Sequence, residues 1–293
     1  MKNNSENKTK KGPNEKLEII EKLRLENKEL SKQLARINDK LKGSEKFKSN
    51  FLANMMNEII NPYTSIMSLS KNIVELGRND WDKAASMAEL IYSEASDLDF
   101  QLNNIFVAAE IEAGEAFTQI SNIEINGLIQ DAIDKIKFKA EKRNIVINVE
   151  YIVKQGKQKE PLNFTTDYSK LRLILTNFLN NAIKYSNPGD RIKVLAVVEN
   201  KKAKITVQDF GTGIEKEDLN TIFDRFRKLD SDVNSLNTGH GLGLSVAKAL
   251  SDILEGEITI KTERNKGSSF TIIVPEAEPD DDTFLSEGDE IIF

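Results

Sequence analysis

Asn177 and Asn181 stand four residues apart in a stretch that reads as helix, so their carboxamides share one face. Lys184 follows three residues further along that face. Paired amides beside a cation can hold a metal-bound triphosphate. Downstream, Asp209-Phe210-Gly211-Thr212-Gly213-Ile214 follows a stretch of strand character. Gly211 and Gly213 allow tight turns and close approach of the backbone to a ligand, and a buried carboxylate at Asp209 can accept a hydrogen bond from an adenine amino group. Gly239-His240-Gly241-Leu242-Gly243-Leu244 opens another helix. Glycines before a helix N-terminus present amide N–H groups and a favourable dipole to phosphate. Each pattern alone is more often just a turn, and His240, the single histidine, alone reads as a loop residue.

These residues need elements to hold them. The segment to about Asn14 is polar and reads as disordered. Ile20, Leu23, Asn27, Leu30, Leu34, Ile37 and Leu41 then step by alternating threes and fours, the a/d pattern of a coiled coil with the polar Asn27 on an a position. A single surface helix is the blander alternative; mostly charged flanking positions favour the coil, and with it a homodimer. A helix is expected from about Lys46 to Leu76, kinked at Pro62, with a turn through Gly77–Asp80 and a second helix from Asp82 to Ala113 that stops at Gly114. Two such hairpins would make a four-helix bundle in a dimer.

Beyond Phe117 the pattern mixes helix and strand. Asn126 is expected to cap a helix carrying Leu128, Ala132, Ile136 and Ala140 on one face. Ile145, Ile147, Val149 and Tyr151 alternate as a strand. A helix over Tyr168–Lys184, strands at Ile192–Glu199 and Ala203–Gln208, a helix from Leu242 and strands at Glu257–Thr262 and Ser269–Val274 complete the set. The expected class is α+β: coiled coil and helical hairpin, then a two-layer α/β sandwich. The expected domains are 1–14 disordered, 15–45 coiled coil, 46–115 hairpin, 118–276 sandwich and 277–293 an acidic tail, whose apolar end Ile291-Ile292-Phe293 has a minority reading as a docking peptide.

In this order and spacing, the motifs resemble the GHKL-type ATP-binding domain shared by histidine kinases, type II topoisomerases, a heat-shock chaperone and mismatch-repair ATPases. LRLILTNFLNNAIKYS resembles the N box, and IFDRFRKLD, with Phe223 and Phe226, the F box specific to histidine kinases. GSSFTIIVP resembles the closing strand. FLANMMNEIINPYTSIM and IYSEASDLDFQLNNIFVAAEIEAGE are similar to the two helices of the dimerisation and phosphoacceptor domain. The resemblance runs from about Phe47 to Pro275. It implies ATP and Mg2+ as cofactors: Asp209 on the adenine amino group, Asn181 on magnesium, and Asn177, Lys184 and Tyr185 near the phosphates. Gly211, Gly213 and Ile214 would line the nucleotide, with Phe223 and Phe226 beside the site. Gly239, His240, Gly241, Leu242 and Gly243 would form the lid. Thr271 would contact the adenine region through water.

The chain departs from the family at one point. The phosphoacceptor motif, His-Glu-x-Arg-Thr/Asn-Pro in the family, here reads Asn57-Glu58-Ile59-Ile60-Asn61-Pro62. An imidazole nitrogen can attack a phosphoryl group; a carboxamide nitrogen, its lone pair delocalised, is a very poor nucleophile. Glu58 then has no imidazole proton to take. Ile60 also replaces the arginine, and two joint changes point to natural divergence rather than one engineered substitution. Asn61 is kept. In the family that position orients water for hydrolysis of a receiver's aspartyl phosphate, as glutamines align water in some GTPases; two solvated asparagines on an exposed helix face is the blander reading. The expected function is therefore a pseudo-histidine kinase that binds Mg-ATP and regulates a response regulator receiver domain or a partner histidine kinase. Receiver phosphatase activity through Asn61, or phosphorylation of a partner subunit in trans, are the alternatives.

Composition narrows the rest. The net charge of −6 with no evident basic stripe argues against a nucleic-acid partner. Cysteine is absent, which removes disulfides and thiolate metal sites. No stretch approaches the roughly 20 apolar residues of a membrane span, and no apolar run follows the N-terminal lysines as in a signal peptide. A cytoplasmic protein is expected.

Overall fold

The computed structural model describes residues 22, 24, 27–32, 34, 56, 59–77, 80–153, 162–219, 221–223 and 242–278. The chain divides into two units, Met1–Asn54 and Met55–Phe293. In the first, the described residues between 22 and 34 are helical, and Leu30 and Leu34 of the heptad pattern are exposed at 56% and 63%. Ile20, Leu23, Ile37 and Leu41 lie outside the described residues, as do Asn57, Glu58, Phe226, Gly239, His240, Gly241 and the tail from residue 279.

The second unit opens with α1, helical at every described position from 59 to 75, so the helix runs through Pro62. Gly77 and Asp80 close the turn: the Asp80 N–H donates to the Gly77 carbonyl (3.1 Å) and the Asp80 carboxylate accepts from the Gly77 N–H (3.3 Å). Helix α2 (Trp81–Ala113) ends where expected. Gly114 adopts φ 72°, its N–H bonds to Ile111 O (3.2 Å) and the Glu115 N–H to Glu110 O (2.9 Å), the two bonds of a Schellman motif. Along α2, Phe100, Asn104, Val107, Ala108 and Ile111 recur at helical spacing and join the core or pack on it, so its C-terminal half lies on the helices that come after it in the chain.

Strand β1 (Ile120–Glu124) feeds directly into α3 (Ile125–Lys142), followed by β2 (Val146–Val153), β3 (Asn163–Asp167), α4 (Tyr168–Tyr185), β4 (Arg191–Glu199), β5 (Lys202–Gln208), α5 (Gly243–Ile253), β6 (Glu257–Glu263) and β7 (Gly267–Pro275). Strands β1 and β3 form a small antiparallel pair that the sequence pattern did not reveal. That pair corrects the expected Asn126 cap. The N-cap position is Glu124, without a side-chain bond. The Ile125 N–H is taken by Leu162 O (2.9 Å), and Asn126 Oδ1 is buried without a partner. The sheet, not an asparagine, fixes the start of α3. Helix α4 has a true cap: Asp167 accepts from the Lys170 N–H (2.9 Å).

The main sheet has the order β2-β4-β5-β7-β6, with β2 parallel to β4 and the other pairs antiparallel. Ile192, Val194 and Ala196, then Ala203, Ile205 and Val207, then Phe270, Ile272 and Val274 alternate onto one buried face. Against it lie Leu171, Ile174, Leu175 and Phe178 of α4, and the Phe178 and Phe270 rings meet at 5.5 Å. The result is the expected α+β arrangement, a helical N-terminal region followed by a mostly antiparallel sheet with helices on one face. Among the described residues, no helix is long and apolar enough to cross a membrane.

Candidate functional site

The segment leaving β5 folds back against the end of α4. The Thr212 N–H donates to Tyr185 O (3.2 Å), and a Cβ on Gly211 would fall 1.9 Å from that oxygen. Only glycine permits this approach. Gly213 continues the turn, and the Ile214 N–H donates to Thr262 Oγ1 on β6 (2.9 Å). The Tyr185 end of α4 is itself held from outside the helix. The Arg143 guanidinium, just after α3, donates to the carbonyls of Lys184 (2.9 Å), Ser186 (2.8 Å) and Ile183. Three orphan carbonyls thus meet a cation at the negative end of the helix dipole.

Asp209 sits at the root of this turn, 4% exposed. Its Oδ1 accepts from the N–H groups of Gly211 (3.0 Å) and Ser268 (3.1 Å). Both bonds end on Oδ1, so Oδ2 is the oxygen through which the carboxylate would accept a further donor. Burial raises its pKa above the usual carboxylate value, and the two backbone N–H groups oppose that rise by favouring the charged form. A fixed, desolvated acceptor beside a glycine-lined turn suits the amino group of a purine.

Ser268 was missed in the sequence. It is 6% exposed, bonds Asp209 through its N–H, and its hydroxyl lies 2.9 Å from Thr262 Oγ1, which receives Ile214. Thr271, expected here, is placed differently. Strand β7 alternates, so Ser268, Phe270 and Ile272 share the helix-covered face while Thr271 points to the other, pairing its hydroxyl with Thr206 at 2.8 Å. Counting parity back from the buried Phe270 would have singled out Ser268.

On α4, Asn181 and Lys184 are half-buried, with the Lys184 ammonium 3.2 Å from the Tyr185 hydroxyl. Asn177 is not open to solvent. At 2% exposure it donates from Nδ2 to Asn104 Oδ1 of α2 (2.8 Å) and to Leu173 O (3.0 Å). Its Oδ1 abuts Gly243, the first residue of α5, where a Cβ would come within 2.3 Å. Leu242 is buried and its carbonyl accepts from the Ser245 hydroxyl (2.8 Å). Phe223 is half-buried against the core. The fold therefore gathers Asp209, Gly211, Gly213, Ile214 and Ser268 with the C-terminal turn of α4, and sets Asn177 at a junction of three helices. Asn61 is on α1, exposed.

Comparison with known proteins accords with this geometry. Residues 166–278 match the family described as histidine kinase-, DNA gyrase B- and HSP90-like ATPase. Sensor protein SrrB of Staphylococcus aureus (strain MRSA252) is 26% identical over 234 residues, 80% of this chain and 39% of SrrB. The same protein from strain N315 matches equally, so the chain spans about two fifths of the length of these curated relatives. Acinetobacter baumannii histidine kinase AdeS shares the fold with a TM-score of 0.52 at 17% identity, over 76% of this chain and 98% of AdeS. Full-length ShkA in complex with AMPPNP gives 0.53 at 20% identity, over 78% and 46%. Histidine kinase ThkA in complex with response regulator protein TrrA gives 0.51 at 21%, over 80% and 64%. Residues 166–278 thus form a GHKL-type ATPase domain, and over 80% of its length the chain is similar to a sensor protein and shares its fold with histidine kinases.

Proposed function

We propose that this chain binds Mg-ATP between the Asp209 turn and the C-terminal turn of α4, and acts in two-component signalling without phosphorylating itself. The observation that carries the nucleotide clause is the Asp209 carboxylate, buried and fixed through Oδ1 by two backbone N–H groups. Asp209 would accept the adenine amino group through Oδ2. Gly211, Gly213 and Ile214 would let the backbone approach the base. Asn181 would hold magnesium, and Lys184 and Tyr185 would lie near the phosphates. Bound Mg-ATP would supply a γ-phosphoryl group, but Asn57 has no nitrogen able to take it. Output would then pass by docking to a response regulator receiver or a partner histidine kinase, from a cytoplasmic homodimer joined through the coiled coil and hairpin. That ShkA and ThkA were solved with AMPPNP and with a response regulator, respectively, supports a search for both kinds of ligand.

Labelling with ATP carrying a radioactive γ-phosphate tests this. The natural chain should stay unlabelled, while Asn57→His or Asn57→His/Ile60→Arg takes up an acid-labile label. Label on the natural chain would overturn the reading of Asn57. A second reading, receiver phosphatase activity, is favoured by the exposure of Asn61 on α1. Under it, Asn61→Ala slows loss of phosphate from a phosphorylated receiver.

A further inference from the structure

Asn177 ties the nucleotide reading to the position of α2, and the role inferred for α2 rests on that reading. A carboxamide nitrogen carries two protons. Those of Asn177 go to Asn104 Oδ1 and Leu173 O, and Asn104 Nδ2 in turn donates to Phe100 O (3.0 Å). Both asparagines are buried, at 2% and 3% exposure. The Asn177 Oδ1 meets Gly243, where α5 begins. Helices α2, α4 and α5 thus converge on one amide whose donors are both engaged.

We infer that docked α2 is an autoinhibitory clasp that competes with the triphosphate for Asn177. While Asn104 holds it, Asn177 has no proton for a phosphate oxygen. When α2 lifts, that donor becomes free and the Gly243 junction is unpinned. Linkage makes the effect reciprocal: nucleotide weakens α2 docking by the same factor by which undocking strengthens nucleotide binding.

The remaining seam suits a contact that opens. Asp97 of α2 pairs with Lys139 of α3, which also donates to Asn180 Oδ1 on α4 (2.9 Å), and Asp99 lies 3.8 Å from Lys135. Ile105 and Ala108 of α2 are fully buried, and Phe100, Val107 and Ile111 pack beside them partly buried. The partly exposed ion pairs at the edge of this apolar stripe make the closure salt-sensitive.

The chain has no cysteine, so Ala109→Cys on α2 and Lys137→Cys on α3, both at exposed positions, give clean sites for a pair of nitroxide labels. Without nucleotide the label distance should report docked α2; Mg-ATP should lengthen it. Asn104→Leu removes the acceptor for Asn177. Asp97→Lys repels Lys139 and leaves Asn177 untouched. Each should lengthen the distance without nucleotide and lower the calorimetric Kd for Mg-ATP several-fold. Should Asn104→Leu misfold, Asp97→Lys carries the test alone. Unchanged or weaker Mg-ATP binding in a folded variant, or a label distance indifferent to Mg-ATP, overturns the clasp. If binding is lost in Asp209→Asn yet indifferent to both α2 variants, the nucleotide reading stands and only the clasp falls. No binding by the natural chain or either variant overturns both.

Discussion

Asp209 holds an ionisable group where water barely reaches, and its pH behaviour has two opposed arms. Burial raises its folded pKa above the unfolded value. The folded state therefore holds that proton more tightly. The stability this residue contributes is fully present below the unfolded pKa and is lost as pH rises through the folded one. Ligand binding runs the other way, because a protonated carboxyl loses acceptor strength. Affinity for Mg-ATP should weaken on acidification, beginning at a higher pH than an exposed aspartate would give. Asp209→Asn should remove both arms. At neutral pH it is expected to be at least as stable as the natural chain while binding Mg-ATP about 10–100-fold more weakly, the worth of one hydrogen bond to a charged group. Calorimetric Kd and Tm measured across pH on both chains check this. The residue itself was legible only because its glycine turn falls in order with the other motifs; alone, an aspartate before such a turn carries little. Ser268 was not, because its contribution is a backbone N–H that no side-chain motif advertises; parity from Phe270 gives its face of the strand but not its bond to Asp209.

Among the elements, helix α4 could be read from the spacing of Leu171, Ile174, Leu175 and Phe178, and its boundary from Asp167. What holds its other end could not. Arg143 lies far away in sequence, and a lone arginine after a helix carries no sign of which carbonyls it will meet. Arg143→Ala leaves those carbonyls without their cation and should destabilise the domain by about 1–3 kcal/mol in denaturant titrations. Arg143→Lys should restore only part, because an ammonium lacks the planar fork that reaches several acceptors at once. The start of α3 was misread for a related reason. Asparagine is a good cap when the chain arrives from solvent, but here it arrives from a strand, and Leu162, just before that strand's partner, already supplies the acceptor.

For the whole molecule, the order of segments was legible because helical and strand periods change visibly near Phe117, and the motifs fall in a fixed sequence. The way α2 lies on the ATP-domain helices was not, since its polar anchor is a pair of ordinary asparagines on distant segments. Nor does one copy of the chain account for Leu30 and Leu34, two leucines of a helical unit left largely in solvent. Joined in a coiled coil they would bury that surface. Leu30→Asp/Leu34→Asp should shift the chain toward monomer in sedimentation equilibrium; an unchanged dimer would assign association to the hairpin alone.

The parallel pairing of β2 with β4 has a consequence for how the domain comes into being. Val146 must find Arg191, and β3 and α4 lie between them in the chain. Closing that long loop repays nothing until the crossover has formed, and non-local pairings of this kind are slow. During synthesis, β2 leaves the ribosome well before its neighbour, with Ile147, Val149 and Tyr151 still uncovered. The hairpins β4–β5 and β6–β7 pair locally, whereas β5 must wait for β7 across a still longer stretch of chain. Refolding followed by pulsed hydrogen exchange should therefore protect the amides bonded within those two hairpins before the amides that join β2 to β4 and β5 to β7, and nascent β2 is open to misassociation in the interval before β4 arrives.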